Sequence, residues 1–405
     1  MKIAVLSDFH FGYAYSSELE NDPFNAVEEA LDRIDADLIL ILGDIFDSRL
    51  PKTATWAHAL RVLAKPLLKE SSNVKIVETN KDLKKISNRT LHHVPVIAIH
   101  GNHERRGRGE LNTIQAMENA GLLIYLHAQN IVVEKDGRKV AIHGMGSVPE
   151  RFAKDVLNEW NPQPIVGCYN ILVLHQNIDP YVYSPLEPPS LNLSNLPKGF
   201  DLILDGHVHG RNEQNVGESR LITVGSTIVT QFEKKEAEND KGFYLIDTNE
   251  NKINFFAFQN NRKFFYKEID LKENYLKNEI EFVIDEILAE NPGKKPIIKI
   301  KIRANDSDFI STDLRNIEAK YSDRAIIIFA KELESPEILG KIEFLRNIRE
   351  QKLSAEEIGL KVLRNNLDTF QFEDIFDSEQ VFYLLNENEI DKVFNILIGE
   401  QKTLV

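Results

Sequence analysis

Five short apolar runs in the first half of the chain each end in a polar cluster holding aspartate, asparagine or histidine, and this repeated junction constrains the fold more than any other feature. Residues 2–6 run into Ser7-Asp8-Phe9-His10, and residues 37–42 into Gly43-Asp44-Ile45-Phe46-Asp47. Residues 94–99 run into His100-Gly101-Asn102-His103-Glu104, residues 170–174 into His175, and residues 201–204 into Asp205-Gly206-His207-Val208-His209. Runs this short and this rich in Ile, Val and Leu read as buried strands. Stretches with apolar residues at three- and four-residue spacing separate the first few, over residues 23–34, 53–65 and 110–120, and these read as helices. Strand–helix alternation predicts a layered α/β domain, whose ligands bind beyond the carboxyl ends of the strands. Those ends are where the unusual residues lie.

Further along, Asp136-Gly137 between two apolar runs is a hairpin signal. The polar, Lys-rich residues 70–90 are expected to form a loop or irregular insertion. At 405 residues the chain is long enough for two or three domains. Residues 1–250 form the first expected unit. A smaller α/β unit is expected over 251–333, with strands near 252–258, 264–269, 296–302 and 326–329 and a helix over 276–288. Residues 334–405 read as amphipathic helices over 338–364 and 378–399, with Ser354 opening a capping box at Glu357. Between positions 366 and 400 there are nine acidic residues and one base, Lys392.

The clustered side chains set the chemistry. Asp8, His10, Asp44, Asn102, His103, His175, His207 and His209 offer oxygen and imidazole donors and no thiolate, a set that suits manganese, iron or zinc. The single cysteine, Cys168, excludes an internal disulfide or a thiolate cluster and fits a reducing cytoplasm. In Asp8-x-His10 and His207-x-His209 the two-residue spacing puts both side chains on one side of an extended chain. A carboxylate such as Asp44 can offer one oxygen to each of two cations, the arrangement that clamps a phosphoryl displacement. One histidine after a strand is ordinarily structural, and His58, His92, His93 and His127 are read so; His100 and His143 lie next to the site and could support it, but they too are expected to be structural. Five strand ends delivering the same donors override that reading for the rest. Arg105, Arg106 and Arg108 follow closely and are expected to contact phosphate. With net charge −14, such a local basic patch has to work against an unfavourable overall field. No apolar run is long enough to span a bilayer, so no membrane partner is expected.

In this order, Asp-x-His, Gly-Asp, Gly-Asn-His-Glu, a lone His and Gly-His-x-His resemble the calcineurin-like metallophosphoesterase signature. Ser7–Tyr13, Gly43–Asp47, Ile142-His-Gly-Met145, Leu174-His-Gln176, Asp205–His209, Val224-Gly-Ser-Thr227 and Lys241-Gly-Phe-Tyr244 resemble, within that superfamily, the archaeal-type Mre-eleven family of double-strand-break repair nucleases, called SbcD in bacteria. The resemblance implies a layered β-sandwich core with flanking helices, a small α/β capping domain and C-terminal helices. It also implies two Mn²⁺ ions per subunit, with magnesium, iron or zinc as substitutes. Asp8, His10, Asp44 and His209 would hold one and Asp44, Asn102, His175 and His207 the other, with His103 protonating the leaving oxygen. The implied activity is 3′–5′ exonuclease and single-strand endonuclease action on DNA ends in the cytoplasm. The implied partners are DNA, a Rad-fifty-type ABC ATPase bound through the C-terminal helices, and a second copy of the chain, paired through the helices at 53–65 and 110–120. Asp47 departs from a histidine common in that family, which bears on the balance of exonuclease and endonuclease action. Two other classes compete: a phosphoesterase of small phosphodiesters or nucleotides, for which about 250 residues would suffice, and a scaffold that has lost metal ligands, which the filled ligand positions here oppose.

Overall fold

The computed structural model describes residues 1–107, 109–182, 190–270, 276–304, 311–333, 355–369, 377–386 and 389–399. By its internal contacts the chain divides into two units, Met1–Leu333 and Glu334–Val405.

Alternation within the strands builds the layers of the first unit. In Lys2–Leu6, Ile3 and Val5 point one way and Ala4 and Leu6 the other, and all four are buried. Buried strands need apolar residues on both faces because both faces are covered. Ile3 and Val5 join Leu38, Leu40, Ile97, Ile142, Ile171, Val173, Leu204 and Ile222 in a core between two sheets. Ala4 and Leu6 join Ile39 and Ile41 against Phe24, Val27, Leu31, Ala59 and Val62 of two helices, Asp22–Arg33 and Thr53–Leu63. On the far side Leu172, Leu174, Ile203 and Leu221 pack on Ala153 and Leu157 of the helix Glu150–Trp160. The order is helix, sheet, sheet, helix, the layered α/β sandwich that the pattern predicts.

The first sheet has six strands, in the order Lys252–Ala257, Gly242–Asp247, Lys2–Leu6, Leu38–Ile41, Val96–Ala98 and Ile124–Tyr125, the last four parallel. The second has seven, in the order Asn212–Val216, Ser219–Thr223, Leu202–Asp205, Tyr169–Leu174, Arg138–Met145, Gln129–Lys135 and Lys75–Thr79. Parallel neighbours bring the ends of Lys2–Leu6 and Leu38–Ile41, and of Tyr169–Leu174 and Leu202–Asp205, to one edge of the sandwich. Asp136 and Gly137, both at positive φ, close the expected two-residue hairpin.

Two expectations need correction. Residues 70–90 are not a loop throughout: Lys75–Thr79 is a strand that pairs antiparallel with Gln129–Lys135, with a bulge between Ile76 and Glu78. It is the edge of the seven-stranded sheet and only partly buried, so it carries the polar residues of an edge and no apolar run. The expected helix at 110–120 begins only at Thr113, because Asn112 and Gln115 form a capping box that fixes its start.

Phe264–Asp270, Ile297–Ala304 and Ile326–Leu333 make a parallel three-stranded sheet within the same unit. Its buried face carries Ile298, Ile300 and Ile302 against Ile280, Ile284 and Ile287 of one helix and Leu314 and Ile317 of another. Arg262 bonds Asp22 at 2.6 Å, Lys295 bonds Glu18 at 2.7 Å and Asn261 donates to the Thr227 carbonyl, tying this part to the sandwich.

In the second unit the described helices are Ala355–Thr369, Ser378–Asn386 and Ile390–Gly399. Val381 and Val393 are buried, whereas Ile390 and Phe394 are each 61% exposed. The predicted amphipathic stretch at 338–348 and Ser354 lie outside the described residues.

Candidate metal centre

The backbone turns sharply after three of the five strands. Asp8, His10, Asp44 and His207 all have φ between 48° and 73°, the left-handed region that non-glycine residues avoid. Each such residue costs of order 1–3 kcal/mol and persists where surrounding structure imposes it. Two glycines permit the close approach of these turns. A Cβ on Gly43 would sit 2.6 Å from the Gly101 nitrogen, and one on Gly101 would overlap the Asp44 carboxylate. They are therefore packing requirements and not mere turn residues.

The turns aim the side chains at one place. His10 Nε2 and His209 Nε2 lie 3.1 Å apart, and Asp8 Oδ1 is 4.0 Å from His209 Nε2. Asp44 Oδ2 lies 3.3 Å from His175 Nε2, while Asn102 Oδ1 is 3.1 Å from His175 Nε2 and 2.9 Å from His207 Nδ1. Asp8, His10 and His209 form one group able to hold a metal ion, and Asp44, His175 and His207 another. A third grouping, His10, Asp44 and His103, puts Asp44 between them. All the metal-ligand candidates read from the sequence thus converge.

Neighbouring groups fix the imidazoles. A carbonyl or carboxylate only accepts, so His175 Nδ1 donates to the Leu42 carbonyl at 2.6 Å and His10 Nδ1 to Asp47 Oδ1 at 3.1 Å. Both Nε2 atoms are thereby turned inward, an arrangement usual behind metal-bound histidine. His209 Nδ1 meets Thr230 Oγ1 at 2.6 Å. The Thr230–Phe232 backbone donates to Glu236, which bonds buried Lys241, and Lys241 also donates to the His209 carbonyl.

The electrostatics suit a cation. Burial holds His207 down to about 3 and His209 well below the usual histidine range, so both are neutral donors. Burial would lower His175 too, but the charge and hydrogen bond of Asp44 prevail and raise it to about 10. In the protein alone a proton on His175 stands in for positive charge between the buried carboxylates of Asp8 and Asp44. Imidazoles, hard oxygens and two fully buried acids form a donor set that fits divalent ions.

His103 lies beside the groups. Its N–H donates to Asp44 Oδ1 at 2.9 Å and its Nδ1 to the Asp47 carbonyl at 2.6 Å, leaving Nε2 4.0 Å from Asp44 Oδ2. Of the arginines, Arg105 lies 3.8 Å from Glu150, Arg106 donates to the Arg49 carbonyl, and Arg108 is outside the described residues. Arg49, Arg105 and Arg106 line an open cleft of about 530 Å³ with His100, His127 and Ser147. His100 donates to the Ser147 carbonyl and receives the Tyr125 hydroxyl.

One residue was quoted in the sequence without a role. Glu104 is fully buried, and its carboxylate accepts the backbone N–H groups of Asp44 (3.0 Å), Phe46 (2.8 Å) and Gly101 (2.7 Å). It joins the two turns that carry Asp44 and Asn102. Burial and the nearby Asp44 charge push it up to about 8. A charged residue inside a polar motif, with no apolar pattern around it, was the available signal.

Residues 1–211 match the calcineurin-like phosphoesterase family. Among curated proteins, the double-strand break repair protein MRE11 of Encephalitozoon cuniculi is 30% identical over 269 residues, covering 61% of this chain and 45% of that one. MRE11 of Arabidopsis thaliana is 23% identical over 432 residues, covering 91% and 59%. The DNA double-strand break repair protein Mre11 of Sulfolobus acidocaldarius is 25% identical over 317 residues, covering 75% of each. The chain spans about half the length of the first two relatives.

Proposed function

The chain belongs to the calcineurin-like phosphoesterase family, and from that premise we propose that it is a manganese-dependent DNA nuclease, with 3′–5′ exonuclease and single-strand endonuclease action on double-strand-break ends. The observation that carries this reading is the convergence of donors from five strand ends on two neighbouring groups, one containing Asp44, with a third grouping that brings Asp44 together with His10 and His103. Asp8, His10, Asp44 and His209 would hold one ion, and Asp44, Asn102, His175 and His207 the second. Bound ions supply Lewis-acid activation of phosphodiester and water.

The chain's own residues do the rest. Asp44, reaching both groups, sets their separation. The Asp47 carbonyl orients His103, whose protonated Nε2 gives its proton to the departing sugar oxygen. Arg105, Arg106 and Arg108 grip flanking phosphates. Residues 251–333 cap the DNA. Two copies pair through the helices Thr53–Leu63 and Thr113–Asn119; Leu60 on the first, and Leu111 just before the second, are exposed. Residues 334–405 bind a Rad-fifty-type ABC ATPase. The exposed Ile390 and Phe394 favour a helix laid in a groove, and the acidity of this segment disfavours a DNA contact.

The test is digestion of end-labelled DNA with Mn²⁺, with and without the ATPase, beside hydrolysis of a small phosphodiester. Mn²⁺-dependent shortening of DNA is expected. Turnover of the small diester alone would contradict the nuclease reading. Truncation after residue 335 should spare Mn²⁺-dependent cleavage and abolish co-purification with the ATPase; stoichiometric co-purification of the truncated chain would refute the tail assignment.

A further inference from the structure

Asp47 touches two imidazoles of the site at once, through different atoms. Its carboxylate oxygen Oδ1 accepts His10 Nδ1–H at 3.1 Å, and its main-chain carbonyl accepts His103 Nδ1–H at 2.6 Å. We infer that Asp47 is a positioning residue that, through its side chain, sets the affinity of one of the two metal sites independently of the other, an inference that rests on the two-metal nuclease reading.

The backbone around Asp47 is held from both sides. Its own N–H donates to the Phe11 carbonyl at 3.1 Å, and Phe11 N–H donates to the Ile45 carbonyl at 2.8 Å. The turn that presents Asp47 therefore runs alongside the turn that presents Asp8 and His10. From the other side Glu104 accepts the N–H groups of Asp44 and Phe46. Phe46 is fully buried against Trp56 and Phe11. A carboxylate carried on a backbone fixed at this many points holds its partner within a narrow range of positions, which is what a supporting group must do.

The consequence for His10 follows from its two nitrogens. An acceptor-only carboxylate at Nδ1 keeps the proton there and presents the Nε2 lone pair toward His209 and Asp8. It also makes that lone pair a stronger donor, because negative charge behind the ring favours positive charge in front of it. The side chain of Asp47 meets His10, a proposed ligand of one ion, whereas its carbonyl, which no side-chain substitution removes, continues to orient His103. The two functions of the residue are separable by mutation.

The experiment is calorimetric titration of Mn²⁺ into metal-free full-length protein, without substrate, for the wild type, Asp47→Asn and Asp47→Ala. The wild type should take up two ions. Asp47→Ala should lose roughly 10–100-fold in affinity at one ion and leave the other within error. Asp47→Asn keeps an oxygen acceptor but not the charge, so its loss should be smaller. Raised Mn²⁺ should restore most of the turnover of Asp47→Ala. Thermal unfolding of the metal-free variants checks that the fold persists, and the near-isosteric Asn variant covers the case in which Ala does not fold. Unchanged affinity in both variants, equal weakening of both ions, or turnover that saturating Mn²⁺ cannot restore would overturn the inference while leaving the nuclease reading intact. A wild type that binds no Mn²⁺ would overturn both.

Discussion

The parallel strands of the first sheet and the three-stranded sheet of residues 264–333 follow the same rule: apolar strands, with helices packed on a face. Their ends differ. At the carboxyl ends of Lys2–Leu6 and Leu38–Ile41 the next residues, Asp8, His10 and Asp44, adopt left-handed backbone and point inward. In residues 264–333, among those described, positive φ occurs only at Asn291 and Gly293, in the turn after a helix. Among its described residues the smaller sheet carries charge on a face, where Lys299 pairs with Glu233 of the sandwich. In the sandwich it is these left-handed turns bearing metal-binding donors, and not the sheet by itself, that make the candidate site.

The sharpest way to break this contrast is Asp44→Ala. It removes the carboxylate proposed to serve both ions, so Mn²⁺-dependent DNA cleavage should fall to background, measured on end-labelled substrate. Undiminished cleavage would refute the shared-ligand assignment. His103→Ala should lower turnover by roughly 10²–10⁴-fold while both metals, counted by elemental analysis, are retained. Loss of metal would place His103 among the ligands instead.

Glu104→Ala leaves three buried N–H groups without their acceptor. At about 1–3 kcal/mol for each such group, unfolding should be destabilised by about 3 kcal/mol or more, with a lower thermal midpoint. In the smaller sheet, Ile284→Ala should cost about 2–5 kcal/mol locally and leave Mn²⁺ binding by the sandwich unchanged. Hydrogen exchange resolves the two regions.

The smallest effect concerns pH. Because His175 is raised to about 10, its proton stabilises the metal-free fold fully below the ordinary histidine range, and this contribution is lost as pH rises through about 10. A metal has to displace that proton. Apparent Mn²⁺ affinity should rise with pH, by about tenfold per unit for one proton released, as calorimetry in buffers from about pH 7 to 9 would record.

The ligand candidates were legible because chemistry and hydrophobic pattern coincide: each strand is a readable apolar run and each donor follows it directly. Glu104, Thr230 and Glu236 were not, since their roles consist of hydrogen bonds to backbone that no spacing encodes. The strand Lys75–Thr79 was hidden for the opposite reason, a polar edge that buries too little to leave a pattern. Asp47 stood out as a departure from the resembled family, but only its distances to His10 and His103 disclose what it touches.

The central claim is that two metal ions share Asp44. Crystals grown or soaked in Mn²⁺ and measured at the manganese absorption edge test it directly. The account predicts two anomalous peaks per chain, one among Asp8, His10 and His209 and one among Asn102, His175 and His207, with an Asp44 oxygen ligating each. A single peak, or a pair in which Asp44 contacts only one ion, would contradict it.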